Sequence, residues 1–196
     1  MASLTELPIF PLGTVLFPQG LLPLRIFEQR YLDMTKVCIR DDSPFGVCLI
    51  REGKEVGDPA VPYETGCSAR IVRWDMPHTG VFHLTVKGDS IFRINESWTE
   101  KDGLRRAKVE FLETPSMPLP AGYGHLVELL ERIIKKVGED TFASPLQLED
   151  AAWVGWRLME MLPLDQQVRQ RLLEMGDPLA VLNEVQSYLQ SRPPIQ

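Results

Sequence analysis

The hydrophobic pattern of this 196-residue chain changes its period at a proline-rich segment, residues 115–120. Three prolines within six residues exclude a helix or a central strand there, because proline fixes φ and has no backbone N–H. Before this segment apolar and polar residues alternate, which is typical of strands with one buried face. After it the apolar residues recur at helical spacing. We therefore predict a β subdomain over residues 1–114, a stiff linker over 115–120 and a helical subdomain over 121–196.

The alternation in the β subdomain predicts several short strands. It is clearest in three stretches, which are Cys67–Ile71, Phe82–Val86 and Ala107–Phe111. Short spacers at Thr79-Gly80, Gly88-Asp89 and Asp102-Gly103 are typical of turns, so the pattern favours a barrel or a highly twisted sheet. One amphipathic helix interrupts these strands. Its apolar face is formed by Phe27, Tyr31, Met34 and Cys38.

Four helices are predicted in residues 121–196. The first carries an apolar stripe of Leu126, Leu129, Leu130, Ile133 and Val137. Ser144–Gln147 matches a capping box with proline at the first helical position, so we expect the second helix to begin there. Asp165 and Asp177 are predicted to cap the third and fourth helices. Four helices with short connections form a small bundle, which places the chain in the α+β class.

The sequence contains no recognisable catalytic or cofactor-binding motif. There is no G-x-S-x-G nucleophile elbow, no phosphate-binding loop and no metal-binding spacing. We expect His83 on the outward face of a strand and His125 in a capping or surface role, and His78 shows no pattern with a serine. We therefore predict no catalytic residues, no metal, no cofactor and no enzyme activity. An unrecognised small hydrolase is the least favoured alternative.

The cysteines and the termini favour a cytoplasmic protein. Cys38, Cys48 and Cys67 lack C-x-x-C spacing, and three reduced thiols fit a reducing compartment. The first residues lack the basic and apolar regions of a signal peptide. No apolar run approaches the roughly 20 residues that a membrane span needs. We therefore expect a soluble protein without membrane contact.

The charge balance argues against a large nucleic-acid-binding surface. The net charge is −6, of which residues 1–115 contribute −2 and the remaining residues −4. Acidic residues interrupt the densest basic stretch, Lys101–Lys108, so we interpret it as a solvated strand edge. Nucleic acid is therefore an unfavoured partner, although RNA binding stays open as the alternative function.

Two sparsely charged apolar segments are the candidate binding residues. One contains Phe17, Leu21 and Leu22, and the other places Trp74 and Met76 at a predicted turn. Together they could line a groove that accepts an extended peptide. The alternative is that these side chains fold back onto the core, since single exposed apolar residues are normal.

Several motifs, taken in order, resemble one family. The opening Leu-Pro-Ile-Phe-Pro-Leu at residues 7–12 and the segment from Leu22 to Met34 closely resemble the amino-terminal domain of Lon proteases. Weaker matches follow in the same order as in that family. They are Phe45–Ile50, Gly66–Val72, Val86–Gly88, Phe92–Ile94 and Leu162–Asp177.

This resemblance implies a PUA-like twisted β-barrel with one inserted helix, followed by a helical bundle. Lon proteases continue into ATPase and Ser-Lys protease modules, for which 196 residues leave no room, so it implies the substrate-recognition domain alone. The expected partners are unfolded polypeptide clients, or a protease or chaperone partner, with a homodimer possible; the same domain occurs in cereblon. Tyr31 is expected to pack inward, and Arg30 to bind nearby carbonyls or a carboxylate.

Overall fold

The computed structural model describes residues 4–191, and its contacts divide the chain into two compact units, Met1–Glu113 and Thr114–Gln196. The described part of the first unit consists of seven strands and one helix. In chain order these are β1 (Thr5–Leu12), β2 (Leu21–Ile26), α1 (Gln29–Asp41), β3 (Phe45–Glu52), β4 (Val61–Pro62), β5 (Thr65–His78), β6 (Val81–Thr99) and β7 (Arg105–Phe111).

Five strands close into a ring in the order β1, β7, β6, β5 and β3. Neighbours in the ring are antiparallel, except that β1 and β3 are parallel and complete the closure. Strand β4 pairs with β3, and β2 pairs with the first half of β6. Closure removes most of the exposed sheet edges. The predicted α+β fold, a PUA-like barrel with one inserted helix followed by helices, is confirmed.

The predicted alternation correctly identifies residues of the barrel core. Phe82, Leu84 and Val86 of β6 are buried, while His83 between them is exposed, as the sequence predicted. On α1 the residues Tyr31, Met34 and Cys38 are buried. Phe27 is the exception, because α1 begins at Gln29 and leaves the Phe27 side chain 49% exposed. The helix therefore contacts the barrel through the predicted face from Tyr31 onward.

Two predicted turns are wrong because β5 and β6 are longer than their alternation suggested. Trp74 and Met76 lie within β5, and Gly88-Asp89 lies within β6. The two strands pair from Thr65–Arg93 to His78–Val81, and three register shifts absorb the irregularities. The chain reverses only at Thr79-Gly80, where Gly80 has a φ of +84° that favours glycine.

The second unit contains four α-helices in the described residues, α2 (Gly124–Val137), α3 (Ala151–Met161), α4 (Gln166–Met175) and α5 (Pro178–Gln190), with a short 3₁₀ turn at Glu139–Thr141. Helix α3 is its core, since all residues from Ala151 to Met159 are buried. Asp165 and Asp177 cap α4 and α5 by accepting hydrogen bonds from Gln167 N–H and Leu179 N–H, as predicted.

The predicted capping box at Ser144–Gln147 is wrong, because α3 begins at Ala151. Asp150 is its N-cap and accepts a hydrogen bond from Trp153 N–H at 2.8 Å. The segment before α3 forms a turn in which Asp150 N–H donates to Gln147 C=O. Residues 117–119 hold its end, since Leu119 N–H donates to Glu149 C=O and Ala151 N–H donates to Met117 C=O. The buried stripe of α2 is also shifted: Leu126, Leu130 and Ile134 are buried, Leu129 and Ile133 are half-buried, and Val137 is exposed.

Candidate functional site

A tight turn at Phe17–Gly20 sets the direction of β2. Pro18 occupies its second position, which suits the fixed φ of proline, and Gln19 adopts a φ of +62° at the third position. Gly20 N–H donates to Phe17 C=O at 3.0 Å. Gln19 N–H then donates to Gly88 C=O, and Gly88 N–H donates to Gly20 C=O at 2.9 Å. These bonds start the antiparallel ladder between β2 and β6.

This ladder leaves one edge of β2 without a partner strand. Backbone groups in an antiparallel pair alternate between facing the partner and facing away. Since Gly20 faces Gly88, the residues that face β6 are Leu22, Leu24 and Ile26, and those that face away are Leu21, Pro23 and Arg25. Pro23 fits this register, because a residue without an N–H is tolerated only where no ladder bond is needed. Among the strands of the described chain, β2 pairs with β6 alone.

An apolar cleft of about 360 Å³ runs along this free edge. Consecutive residues from Leu22 to Glu28 line it, although successive strand residues point to opposite faces. A cavity touches all of them only if it follows the strand edge. The opposite wall is the end of β1, where Phe10 and Leu12 extend past the last β7 pair at Ile9. The cleft is therefore a gap in the barrel wall between β1 and β2.

Aromatic residues form the floor and the rim of the cleft. The rings of Phe10 and Tyr31 lie 4.1 Å apart between centroids, and both side chains are buried. Burial raises the pKa of Tyr31, so its phenol stays neutral. Phe27 and Val56 flank the opening and are 49% and 56% exposed. The cleft thus offers apolar surface both inside and at its rim.

The carboxylates of the cleft are already engaged. Arg30 is buried and donates hydrogen bonds to the Glu28 carboxylate at 2.8 Å, to Gly57 C=O at 2.8 Å and to Gly103 C=O at 3.3 Å. The Glu55 carboxylate accepts a hydrogen bond from Gly13 N–H. The predicted role of Arg30 is confirmed. These bonds fix the loop that carries Val56 against the start of α1.

The structure separates the candidates of the first apolar segment. Leu22 is half-buried and lines the cleft. Leu21 points to the opposite face of β2, because adjacent strand residues alternate. Phe17 is completely buried, so its side chain contacts the protein interior and not a bound peptide. The sequence made Phe17 a peptide-binding candidate, and the structure places its side chain in the interior.

The second pair of candidates lies on the projecting part of β5. Trp74 is 53% exposed and packs edge-to-face on buried Phe82, with 6.0 Å between ring centroids. Met76 is 42% exposed. In register, Trp74 stands opposite Leu84, which stands opposite Leu24. A shallow groove of about 950 Å³ spans these three strands and shares Pro23, Leu24 and Arg25 with the cleft. Strand β2 therefore borders both concave surfaces.

The family model for the substrate-binding domain of ATP-dependent protease La (LON) matches residues 6–191. The chain belongs to this family. A crystal structure of a Lon N-terminal domain protein from Xanthomonas campestris is 37% identical and superposes with a TM-score of 0.77, covering 96% of this chain and 99% of that one. The N-terminal domain of Lon protease from the Mycobacterium avium complex shares the fold at a TM-score of 0.67 and 13% identity, covering 96% of this chain and all of that one.

Curated relatives of this substrate-binding domain are much longer proteins. Lon protease 2 of Myxococcus xanthus is 36% identical over 109 residues, and Lon protease 2 of Herpetosiphon aurantiacus is 27% identical over 183 residues. These matches cover 55% and 89% of this chain but only 13% and 22% of the relatives. Cereblon of Danio rerio is 27% identical over 122 residues, which are 60% of this chain and 28% of cereblon. The similarity therefore concerns one domain of each relative.

Sequence reasoning missed several residues of the cleft in this Lon-type domain. Leu24, Phe10 and Val56 line it and were not among the candidates. One local signal was available, since Pro23 in an otherwise alternating segment marks an edge strand. Nothing in the sequence indicated that Phe10 and Val56 would face that edge, because their positions depend on pairings distant along the chain.

The basic stretch and His125, which the sequence singled out, form ion pairs or lie at the surface. In the basic stretch, Arg106 pairs with Glu6 at 3.1 Å and Lys108 pairs with Glu96 at 2.8 Å. His125 is exposed, and its Nδ1 lies 3.1 Å from Gly122 C=O. Between residues 4 and 191 we find no cluster of His, Cys, Asp and Glu that would hold a metal ion. No helix in that range is long and apolar enough to cross a membrane.

Proposed function

We propose that this domain is a non-catalytic module that binds unfolded or partner polypeptides in protein quality control. The observation that carries this proposal is the apolar cleft along the free edge of β2. An extended chain needs an apolar concave surface for its side chains and backbone partners for its polar groups. The gap between β1 and β2 offers both within one site.

Family membership supports the same function. The matching family is described as a substrate-binding domain of an ATP-dependent protease, and such a protease acts on polypeptides. The ion pairs made by Arg106 and Lys108 count against RNA binding, since a basic group paired with a carboxylate attracts phosphate less. We therefore favour a polypeptide over RNA as the ligand.

A binding measurement with exposed residues tests the site without disturbing the core. The probe is fluorescein-labelled, reduced and carboxymethylated lactalbumin, which stays unfolded, and the readout is fluorescence anisotropy. The variant combines Phe27→Ser with Val56→Ser at the rim of the cleft. We expect binding about tenfold weaker, because two exposed apolar contacts are lost.

The matched control combines Val137→Ser with Met175→Ser in the second unit. These residues are 46% and 58% exposed, which is close to the exposure of Phe27 and Val56. The control removes the same kind of surface from α2 and α4, so binding should not change. Equal losses in both variants, or no loss in either, would refute the cleft as the binding site.

A further inference from the structure

We propose that a bound polypeptide adds a strand to the free edge of β2, with every second side chain in the cleft and an acidic residue beside Arg25. This inference rests on the proposed function and specifies how binding occurs. The bound segment is an extended chain with the pattern apolar–acidic–apolar.

The free edge provides a row of backbone groups for such a strand. Leu21 and Arg25 each present an N–H and a C=O away from β6, and Pro23 presents a C=O. No hydrogen bond from elsewhere in the described chain reaches these groups. Unpaired groups of this kind on a sheet edge form a template for another strand. Up to five hydrogen bonds are therefore available over five residues.

The position of the cleft explains why alternate side chains of the added strand would be apolar. An added strand continues the pleat of β2, so its side chains also alternate between two faces. On one face lie half-buried Leu22 and Leu24, with Phe10 and Tyr31 behind them. Side chains on that face would enter the gap in the barrel wall. Most of the other residues that line the gap are apolar, and its carboxylates at Glu28 and Glu55 are already hydrogen-bonded, so it favours apolar residues there.

The charge on the other face favours a carboxylate. Arg25 is exposed and forms no ion pair with any residue that the structure describes. Arg73, on the same outer groove, is likewise without an ion pair in that part of the chain, and the one carboxylate of the groove, Asp75, accepts a hydrogen bond from Met76 N–H at 2.8 Å. Glu28 and Glu55 are engaged by Arg30 and by Gly13 N–H. A directly opposed residue on an added strand lies about 5 Å away, within reach of the Arg25 guanidinium.

Backbone methylation of the ligand tests strand addition directly. The probe is a fluorescein-labelled peptide, Val-Asp-Val-Thr-Val-Asp-Val, measured by anisotropy with the full chain. In an added strand only every second N–H faces β2. One further peptide carries N-methyl groups on the three valines after the first. A second further peptide carries them on the two Asp residues and the Thr. We expect one of them to bind at least about tenfold more weakly and the other to bind like the unmethylated peptide.

The methylated peptide that loses affinity shows the direction of the added strand. Loss on methylation of the Asp and Thr positions indicates an antiparallel strand, since those residues would form hydrogen-bonded pairs with Pro23 and Arg25. Loss on methylation of the valines indicates a parallel strand. Equal behaviour of the two methylated peptides would overturn strand addition. If the unmethylated peptide still binds in that case, and Phe27→Ser with Val56→Ser weakens it, the proposed function survives without this inference.

Protein variants test the same edge independently. Arg25→Ala should reduce the preference for the Asp peptide over its Asn counterpart, because the unpaired cation is removed. Arg25→Pro removes the cation and also the outward-facing N–H. The ladder to β6 does not use that N–H, so the β2–β6 pairing is kept. It should therefore bind more weakly than Arg25→Ala at equal folding by circular dichroism. Equal affinity of these two variants for the peptide would contradict a backbone contact at Arg25.

Discussion

Replacing Gly88 with alanine should both destabilise the barrel and disturb the binding edge. A Cβ at this position would lie 2.2 Å from Phe17 C=O oxygen and 3.2 Å from Cys67 Sγ. The first contact is with backbone, so it is relieved only if the Phe17–Gly20 turn moves away from β6. That movement breaks the two hydrogen bonds that start the β2–β6 ladder, at 2.8 and 2.9 Å.

The magnitude follows from these losses. Two hydrogen bonds contribute about 1 kcal/mol each, and overpacking adds about 1–3 kcal/mol. Removing a glycine from a strand returns about 0.5–1 kcal/mol. We therefore expect the free energy of unfolding to fall by about 2–4 kcal/mol. With a urea dependence near 2 kcal/mol per molar, the midpoint would shift by about 1–2 M.

The assay is urea unfolding followed by circular dichroism, together with binding of the unfolded lactalbumin probe below the transition. Gly124→Ala is the control, because a Cβ there meets no atom within 4 Å and the residue opens α2. It should leave stability within about 1 kcal/mol. A Gly88→Ala protein with wild-type stability and wild-type binding would refute the claim that the Gly88 contact positions β2.

Four further perturbations have expected outcomes. Arg30→Met should lower the free energy of unfolding by about 2–4 kcal/mol in a urea titration, because three acceptors around a buried cation lose their donor. Burial raises the pKa of Glu160 from 4.5 to about 7, although the nearby Arg157 opposes this shift. The folded protein therefore binds the Glu160 proton more tightly than the unfolded chain does. This stabilises the fold below pH 4.5, and the contribution is lost as the pH rises through 7. Because Gln has no carboxylate to titrate, the stability of Glu160→Gln relative to wild type should increase from pH 4.5 to pH 8, by an amount reduced because the side chain is partly exposed; a pH-independent difference would contradict this. Trp74→Ser with Met76→Ser should weaken capture of unfolded lactalbumin while changing stability by less than about 1 kcal/mol, and unchanged capture would show that Trp74 and Met76 of β5 are not part of the binding surface. Asp150→Ala should cost about 1 kcal/mol in thermal unfolding through loss of the α3 cap, and no change would show that the cap contributes nothing.

Local chemistry explains which parts of the fold the sequence predicted correctly. Alternation at Phe82–Val86 and helical spacing at Tyr31–Cys38 each report one buried face, so they identify an element without knowledge of its partner. Asp165 and Asp177 were identified for the same reason, because an N-cap acts within its own first turn. These features depend on neighbours along the chain.

The errors occurred where pairing between distant residues decides the conformation. The Arg73–His78 segment contains proline and polar residues typical of a loop, yet it stays extended because β6 pairs along it. Ser144–Gln147 has good capping chemistry, but the residues just after it form a turn whose end is hydrogen-bonded to residues 117–119. The cleft also depends on a pairing between distant residues. Phe10 faces β2 only because β1 continues beyond its last pair with β7, and the sequence alone does not show where that pairing ends.

The free edge of β2 has to bind a client without pairing with other copies of the same edge. Edge strands commonly carry proline or charged residues that prevent indiscriminate pairing. Pro23 removes one of the three N–H groups that would face outward, and Arg25 places a positive charge beside the edge. Two antiparallel copies of this edge centred on Pro23 would leave both Pro23 carbonyls without donors, and copies centred on Arg25 would oppose two positive charges. A client strand with a carboxylate opposite Arg25 meets no such repulsion, so the residues that disfavour self-pairing would also select the ligand.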